Sequence, residues 1–181
     1  MPDLSIRSGC SAHPQTEGID VMNLRPFRSP DREPLLELTI ATFGPFYEES
    51  FRSIVGDAVA ANQHGTWRAD YRDMWVGLHD PRNGRHVVVA EDGDTLLGFA
   101  AWRTDPEKRS GEIDIIAVAV EQRRHHVGTA LCTHAFAAMR HAGAEVVSIG
   151  TGGDGFHASA RALYDSLGMT ALPLVRYYLA L

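Results

Sequence analysis

Apolar and polar positions change period several times along the chain, and each change marks an element. After Ser29-Pro30, Leu35, Leu36, Thr39, Ile40 and Phe43 recur at helical spacing, which predicts a helix opened by a proline and ended at Gly44-Pro45. Phe46, Tyr47, Glu48, Glu49, Phe51 and Asp57 follow without a clear period, so this aromatic and acidic stretch reads as helical or irregular. Trp67, Tyr71, Met74, Trp75 and Leu78 return to helical spacing and predict an amphipathic helix over 66–79. HVVVAE and TLLGFAAW, either side of Asp92-Gly93-Asp94, predict a hairpin. A polar loop from Arg103 to Ser110 then leads into a long strand ending at Val120.

Residues 128–141 return to helical spacing and are closed by Gly143. AEVVSIGT supplies a further strand, the turn GGDG opens a helix from His157 to Leu167 ended by Gly168, and PLVRYYLAL reads as a last strand. With Ile19 to Phe27 as the first strand, the order is β, α, α, β, β, β, α, β, α, β. That order predicts a single α/β domain with a mixed central sheet and helices on both faces.

At 181 residues and 44% apolar, the chain suffices for one core, assigned to residues 19–181. Residues 1–18 are polar, predict a disordered tail, and resemble neither a signal peptide nor a membrane anchor. Met22 reads as the original start, testable by assaying a chain begun there. The net charge of −6, from 17 basic and 23 acidic side chains, excludes a dominant basic face for nucleic acid and favours a cationic small molecule as partner. Cys10 and Cys132 are too few for a disulfide framework and suit a reducing cytoplasm.

The chemistry concentrates between Glu112 and Arg140, where an apolar strand runs through the basic turn Arg123–Val127 into a helix opening at Gly128. Free helix N–H groups, the positive end of the dipole and two arginines meet there, a combination that holds a diphosphate without a metal. Glu112 and Asp114 share a strand face by two-residue alternation, and a carboxylate such as Asp114 inside an apolar strand needs a partner or a function. His125, His126 and His134 do not form a metal-ligand pattern, because adjacent rings diverge and no carboxylate or thiolate is interleaved.

The run RRHHVG, residues 123–128, resembles the Q/R-x-x-G-x-G/A acetyl-coenzyme A signature of the GNAT superfamily of N-acetyltransferases. HASARALYDSLGM is similar to the second signature of that family, matching at Ala160, Leu163, Tyr164 and Gly168. The resemblance covers residues 19–181, with departures at His126 for the usual Gly, His157 for Asn and Met169 for Phe. It implies acetyl-CoA as co-substrate and no metal. Pantetheine would pair with Ile116, Ala117 and Val118, and the diphosphate would meet Arg123, Arg124, His125, His126, Val127, Gly128 and Thr129, with His157 nearby. Glu112 falls on the glutamate base of the histone-acetylating branch, with Asp114 beside it, and Tyr164 on the tyrosine that protonates the departing thiolate. Cys132 lacks an obvious base, so the acetyl group passes directly to the acceptor.

For the acceptor, the resemblance points to residues 43–57, the helix of Trp67 to Trp75, and Tyr177 with Tyr178. Phe46, Tyr47, Glu48, Glu49, Trp75 and Tyr178 are the candidates, since carboxylates hold ammonium groups and rings cover cations or sugar faces. The leading expectation is a primary amine on a small cationic molecule, such as an aminoglycoside-type antibiotic. A peptide or protein amine, and a non-catalytic acyl-CoA sensor suggested by His126, stay open. A second copy covering an open sheet edge would make a homodimer.

Overall fold

The computed structural model describes residues 22–181; the tail 1–18 and the start of the expected first strand at Ile19 lie outside them. Five strands form one sheet in the order β1 (Asn23–Pro26), β2 (Arg85–Asp92), β3 (Thr95–Asp105), β4 (Ser110–Val118) and β5 (Val146–Ile149). The first four pair antiparallel and β5 joins β4 in parallel, giving the mixed α/β sheet. Before β2 come α1 (Arg32–Pro45), a π-turn (Phe46–Ser50), α2 (Phe51–Val55), α3 (Asp57–His64) and α4 (Trp67–Gly77); α5 (Val127–His141) and α6 (Ala158–Ser166) flank β5. Among the described residues no helix is long and apolar enough to cross a membrane.

Apolar alternation along the strands builds a core on each face of the sheet. Val88, Ala90, Ala100 and Trp102 meet Leu131, Cys132, Ala135 and Met139 of α5 and Tyr164 of α6. Val87, Val89, Phe99 and Ala101 meet Leu35 and Leu36 of α1 and Trp75 of α4. Thr39 is fully buried yet satisfied: its hydroxyl donates to Leu35 O at 2.7 Å and accepts from Trp75 Nε1 at 3.4 Å.

Three expectations are corrected. Gly44-Pro45 does not end the helical path: Pro45 closes α1, and the π-turn, with Phe51 N–H donating to Phe46 O, carries the chain on into α2. The proline removes one backbone donor, and the wider turn absorbs the mismatch while turning the aromatic side chains. The predicted loop from Arg103 shrinks to residues 106–109, because β3 extends to Asp105 and pairs Arg103 with Glu112. Asp105 stabilises that tight connection by accepting from the N–H groups of Glu107 and Lys108, each at 3.1 Å.

The third correction concerns PLVRYYLAL, which forms no strand. Tyr178 packs edge-on against Phe51 of α2, with ring centroids 5.9 Å apart, and this draws the segment over the helices instead of along β5. Leu172, Leu174, Val175, Tyr177 and Leu179 are left exposed.

Candidate active site

A bulge in β4 sets the geometry. Trp102 faces Ile113 and Ala101 faces Ile115, so Asp114 has no partner residue on β3. The extra residue reverses the parity of the strand: Ile113, Ile116 and Val118 pack toward α5, whereas Ile115 and Ala117 pack toward α1 and α4. An unbulged strand would place Ile113, Ile115 and Ala117 on one face.

Pairing between β4 and β5 covers only Ser110–Ile113 against Val146–Ile149. From Asp114 to Val118, β4 therefore has β3 on one side and no strand on the other. Ile116, Ala117 and Val118 lie on this open edge, where backbone groups without a strand partner have the geometry to pair with an extended, amide-bearing ligand.

The open edge leads into the turn before α5. Arg124 and His126 adopt left-handed backbone conformations, with φ of 69° and 61°, and His126 is the residue that caps the helix. No side chain caps this end, so the amides of Val127, Gly128 and Thr129 lack intrahelical acceptors. Arg123, Arg124, His125 and His126 are all exposed around these amides. Among the described residues neither arginine joins an ion pair. Such a concave row of N–H groups beside two guanidinium groups suits a diphosphate. Gly128 keeps the junction close: a Cβ there would sit 3.0 Å from Leu163 Cδ2 of α6.

His126 occupies the conformation that glycine adopts without a steric cost. Replacing His126 with Gly is expected to stabilise the protein by about 1 kcal/mol, read as a higher urea midpoint at an unchanged slope. A lower midpoint would show that the ring supplies more than the backbone loses.

Glu112 and Asp114 come together around Arg103, which the sequence placed only at the start of a loop. Both carboxylates pair with Arg103, through Glu112 Oε2 and Asp114 Oδ1. The side chain of Glu112 is 44% exposed and that of Asp114 only 12%, and Asp114 Oδ2 is buried without a hydrogen-bond partner. The cross-strand opposition of unlike charges was the available signal for Arg103, but it becomes visible only once β3 is known to continue past Trp102.

Tyr164 lies on α6, 8% exposed, with burial as the main cause and the neighbouring Cys132 as a lesser one holding its phenol well above the usual range. Its hydroxyl has no hydrogen-bond partner among the described residues, yet its oxygen is not sealed from solvent. Cys132 is fully buried and its thiol is pushed up to about 11 by burial, so at neutral pH it is a poor nucleophile. This has a stability consequence. A thiol harder to ionise in the folded state favours folding fully below its unfolded value near pH 9, and that contribution falls as pH rises toward 11. The urea midpoint should decline over that interval, and Cys132→Ala should remove this step.

The aromatic candidates divide. Phe46 contacts Tyr47, Phe51, Phe156 and His157, with the His157 ring centroid at 4.7 Å, and Tyr47 stacks on Trp67 at 5.1 Å. Glu48 pairs with Arg68, whose guanidinium lies 4.2 Å over the Trp67 ring, and Glu49 is exposed. Trp75 is not brought to this wall: it is 3% exposed and packs between Phe27 and Phe99 in the core. Tyr178 reaches the wall only through Phe51.

Comparison with known proteins bears on the fold and the family. No curated protein matches the sequence. Among solved structures, an aminoglycoside acetyltransferase from an uncultured soil metagenomic sample, in complex with sisomicin, superposes with a TM-score of 0.61 at 17% identity, over 88% of this chain and 96% of that one. AAC(6')-Iy, in complex with the bisubstrate analog CoA-S-monomethyl-acetylneamine, gives 0.59 at 12% identity, over 88% and 98%. A ribosomal-protein-alanine N-acetyltransferase from Brucella melitensis biovar Abortus 2308 gives 0.58 at 15% identity, over 89% and 100%. At these identities the likeness is one of fold. The sequence itself matches the profile of the Acetyltransferase (GNAT) family over residues 44–169, from the end of α1 to two residues past the α6 cap. A match that runs through the bulged strand β4, the turn before α5 and the tyrosine helix α6 identifies this chain as a member of the GNAT acetyltransferase family, an acyltransferase.

Proposed function

We propose that this acyltransferase moves the acetyl group of acetyl-CoA directly onto a primary amine of a small cationic molecule, with an aminoglycoside as a concrete candidate. The observation that carries the acceptor reading is the unpartnered Asp114 Oδ2, buried at the bulge where β4 loses its β5 neighbour. A buried carboxylate oxygen without a donor is costly, and an ammonium or a neutral amine N–H removes that cost. Glu112 Oε1 is not held by Arg103 and adds a second anionic acceptor. Phe46 and Tyr47 supply apolar faces, and Glu48 and Glu49 a negative rim.

Ile116, Ala117 and Val118 would hold the pantetheine arm, and the amides of residues 124–129, with Arg123 and Arg124, the diphosphate. The thioester supplies the activated acetyl group. The chain's own residues do the rest: the carboxylates receive the amine, and the Tyr164 phenol, kept neutral by burial, protonates the departing sulfur. The sisomicin complex of the soil enzyme is compatible with such an acceptor, whereas the ribosomal-protein enzyme shows the same fold in a protein acetyltransferase.

The test is coenzyme A release from acetyl-CoA with aminoglycosides, polyamines, lysine peptides and peptides with free α-amines. Polycationic small molecules are expected to give the highest kcat/KM. A preference for peptides would replace the acceptor assignment, and thermal stabilisation by coenzyme A without turnover on any amine would make the protein a sensor.

A further inference from the structure

The loop between β5 and α6 contains a second titratable pair. His157 Nδ1 lies 2.8 Å from Asp154 Oδ2, and the His157 N–H approaches Asp154 Oδ1 at 3.3 Å. Both side chains are largely buried, with 16% and 15% exposure. Arg161 fixes the loop from one helical turn away, donating to Gly152 O at 2.5 Å and Asp154 O at 2.7 Å. Gly152 makes room for the pair: a Cβ there would lie 2.2 Å from Asp154 Oδ2 and 2.5 Å from His157 Nδ1.

We propose that the Asp154–His157 dyad is the general base that takes the proton from the acceptor amine. The inference rests on the acetyl-transfer reading of this cleft. An ionised carboxylate only accepts, so Asp154 holds the Nδ1–H tautomer and leaves a lone pair on Nε2, which has no protein partner among the described residues. For Asp154, burial pushes the carboxyl up, but the hydrogen bond and charge of His157 together with backbone N–H groups bring it below the usual range, so it remains ionised.

Position supports the role. The loop begins where β5 ends, opposite the point at which β4 becomes open, and the His157 ring packs against Phe46 of the proposed acceptor wall and against Phe156. His157 and Tyr164 are seven residues apart across the start of α6, so they share a helix face. Glu112, by contrast, lies opposite Ser148 in the closed part of the β4–β5 pair and has Oε2 committed to Arg103. The charged groups around the ring are Asp154 and Arg161; Phe46 and Phe156 are neutral, and on the π-turn Glu48 is paired with Arg68 while Glu49 faces solvent.

The proton balance closes. An acceptor that arrives as ammonium first releases one proton to solvent. As the amine nitrogen bonds to the carbonyl carbon, its proton passes to His157 Nε2 and Asp154 stabilises the imidazolium. The C–S bond breaks, the sulfur takes the Tyr164 proton, and solvent exchange returns His157 and Tyr164 to their starting states.

The test uses the full chain and the best amine from the panel above. His157→Asn is expected to lower kcat/KM by about 100-fold and to abolish the acid limb of its pH profile, with the Kd of coenzyme A within about twofold of wild type. Asp154→Asn should give a smaller loss and displace that limb. Retention of the wild-type limb in His157→Asn, its removal by Glu112→Gln instead, or a parallel loss of coenzyme A affinity would overturn the proposal. If no amine is turned over, the acceptor reading fails separately, and nitrogen NMR of His157 decides the dyad: Nδ1–H lost in Asp154→Asn supports it, and Nε2–H in wild type overturns it.

Discussion

Tyr164→Phe is expected to lower kcat by about 100-fold or more while the Kd of coenzyme A stays within about twofold. The two rings are nearly the same size, so the packing of Tyr164 against Cys132 and the α5 core survives the change. What disappears is a neutral O–H, kept protonated by burial and by the adjacent thiol through the whole neutral range. Without it the sulfur must leave as a thiolate or take its proton from water, and the cost falls on the transition state alone. Because the phenol does not ionise at neutral pH, the wild-type profile should show no Tyr164 limb there. The measurement is steady-state kcat beside a direct titration of coenzyme A. An unchanged kcat would remove Tyr164 as the acid, and a matching loss of affinity would make it a binding residue.

Elements with strong local signals were legible in the sequence. Trp67, Tyr71, Met74 and Trp75 specify α4 by period alone, and the apolar run of β2 and β3 around Asp92-Gly93-Asp94 specifies the hairpin. The basic turn before α5 was legible because a strand, exposed arginines and a glycine occur in a fixed order. Features that depend on pairing were not. The bulge at Asp114 could not be read from a strand whose second half, Ile115 to Val118, is apolar at every position, yet it decides which core Ile113 and Ile115 enter. Likewise PLVRYYLAL has the composition of a strand, but a strand requires an edge, and contact with Phe51 takes the segment elsewhere. The period of α4 favoured the core for its aromatic residues but left Trp75 open as a ligand-wall candidate, because helical spacing does not say which layer the face meets.

Under the proposed function, the bulge and the cap let one cleft serve two ligands of opposite charge. The carboxylates around Arg103 share the sheet face of Phe99 and Ala101, toward α1 and α4, whereas Tyr164 and α5 occupy the other face. The open edge of β4 separates the two layers. An anionic carrier can therefore approach along the α5 side while a cationic acceptor approaches along the aromatic side, and unlike charges need not compete for one surface.

Gly128→Leu tests the anionic half of this arrangement and is expected to weaken coenzyme A binding by about 10- to 100-fold, the equivalent of about one charge-assisted hydrogen bond. The Cβ alone would come within 3.0 Å of Leu163 Cδ2, so either α6 shifts from α5 or the turn moves outward, and both displace the amides of Val127, Gly128 and Thr129. Arg123→Ala combined with Arg124→Ala leaves those amides in place and removes only the exposed guanidinium groups. That pair should cost less affinity in low salt and should reduce the dependence of Kd on ionic strength, because screening acts on exposed charges at long range. Calorimetric titration across a salt series separates the two effects. If Gly128→Leu bound coenzyme A as tightly as wild type while remaining folded, the diphosphate could not lie against the first turn of α5. If the arginine pair carried the whole affinity, the helix terminus would be a bystander to a purely electrostatic site.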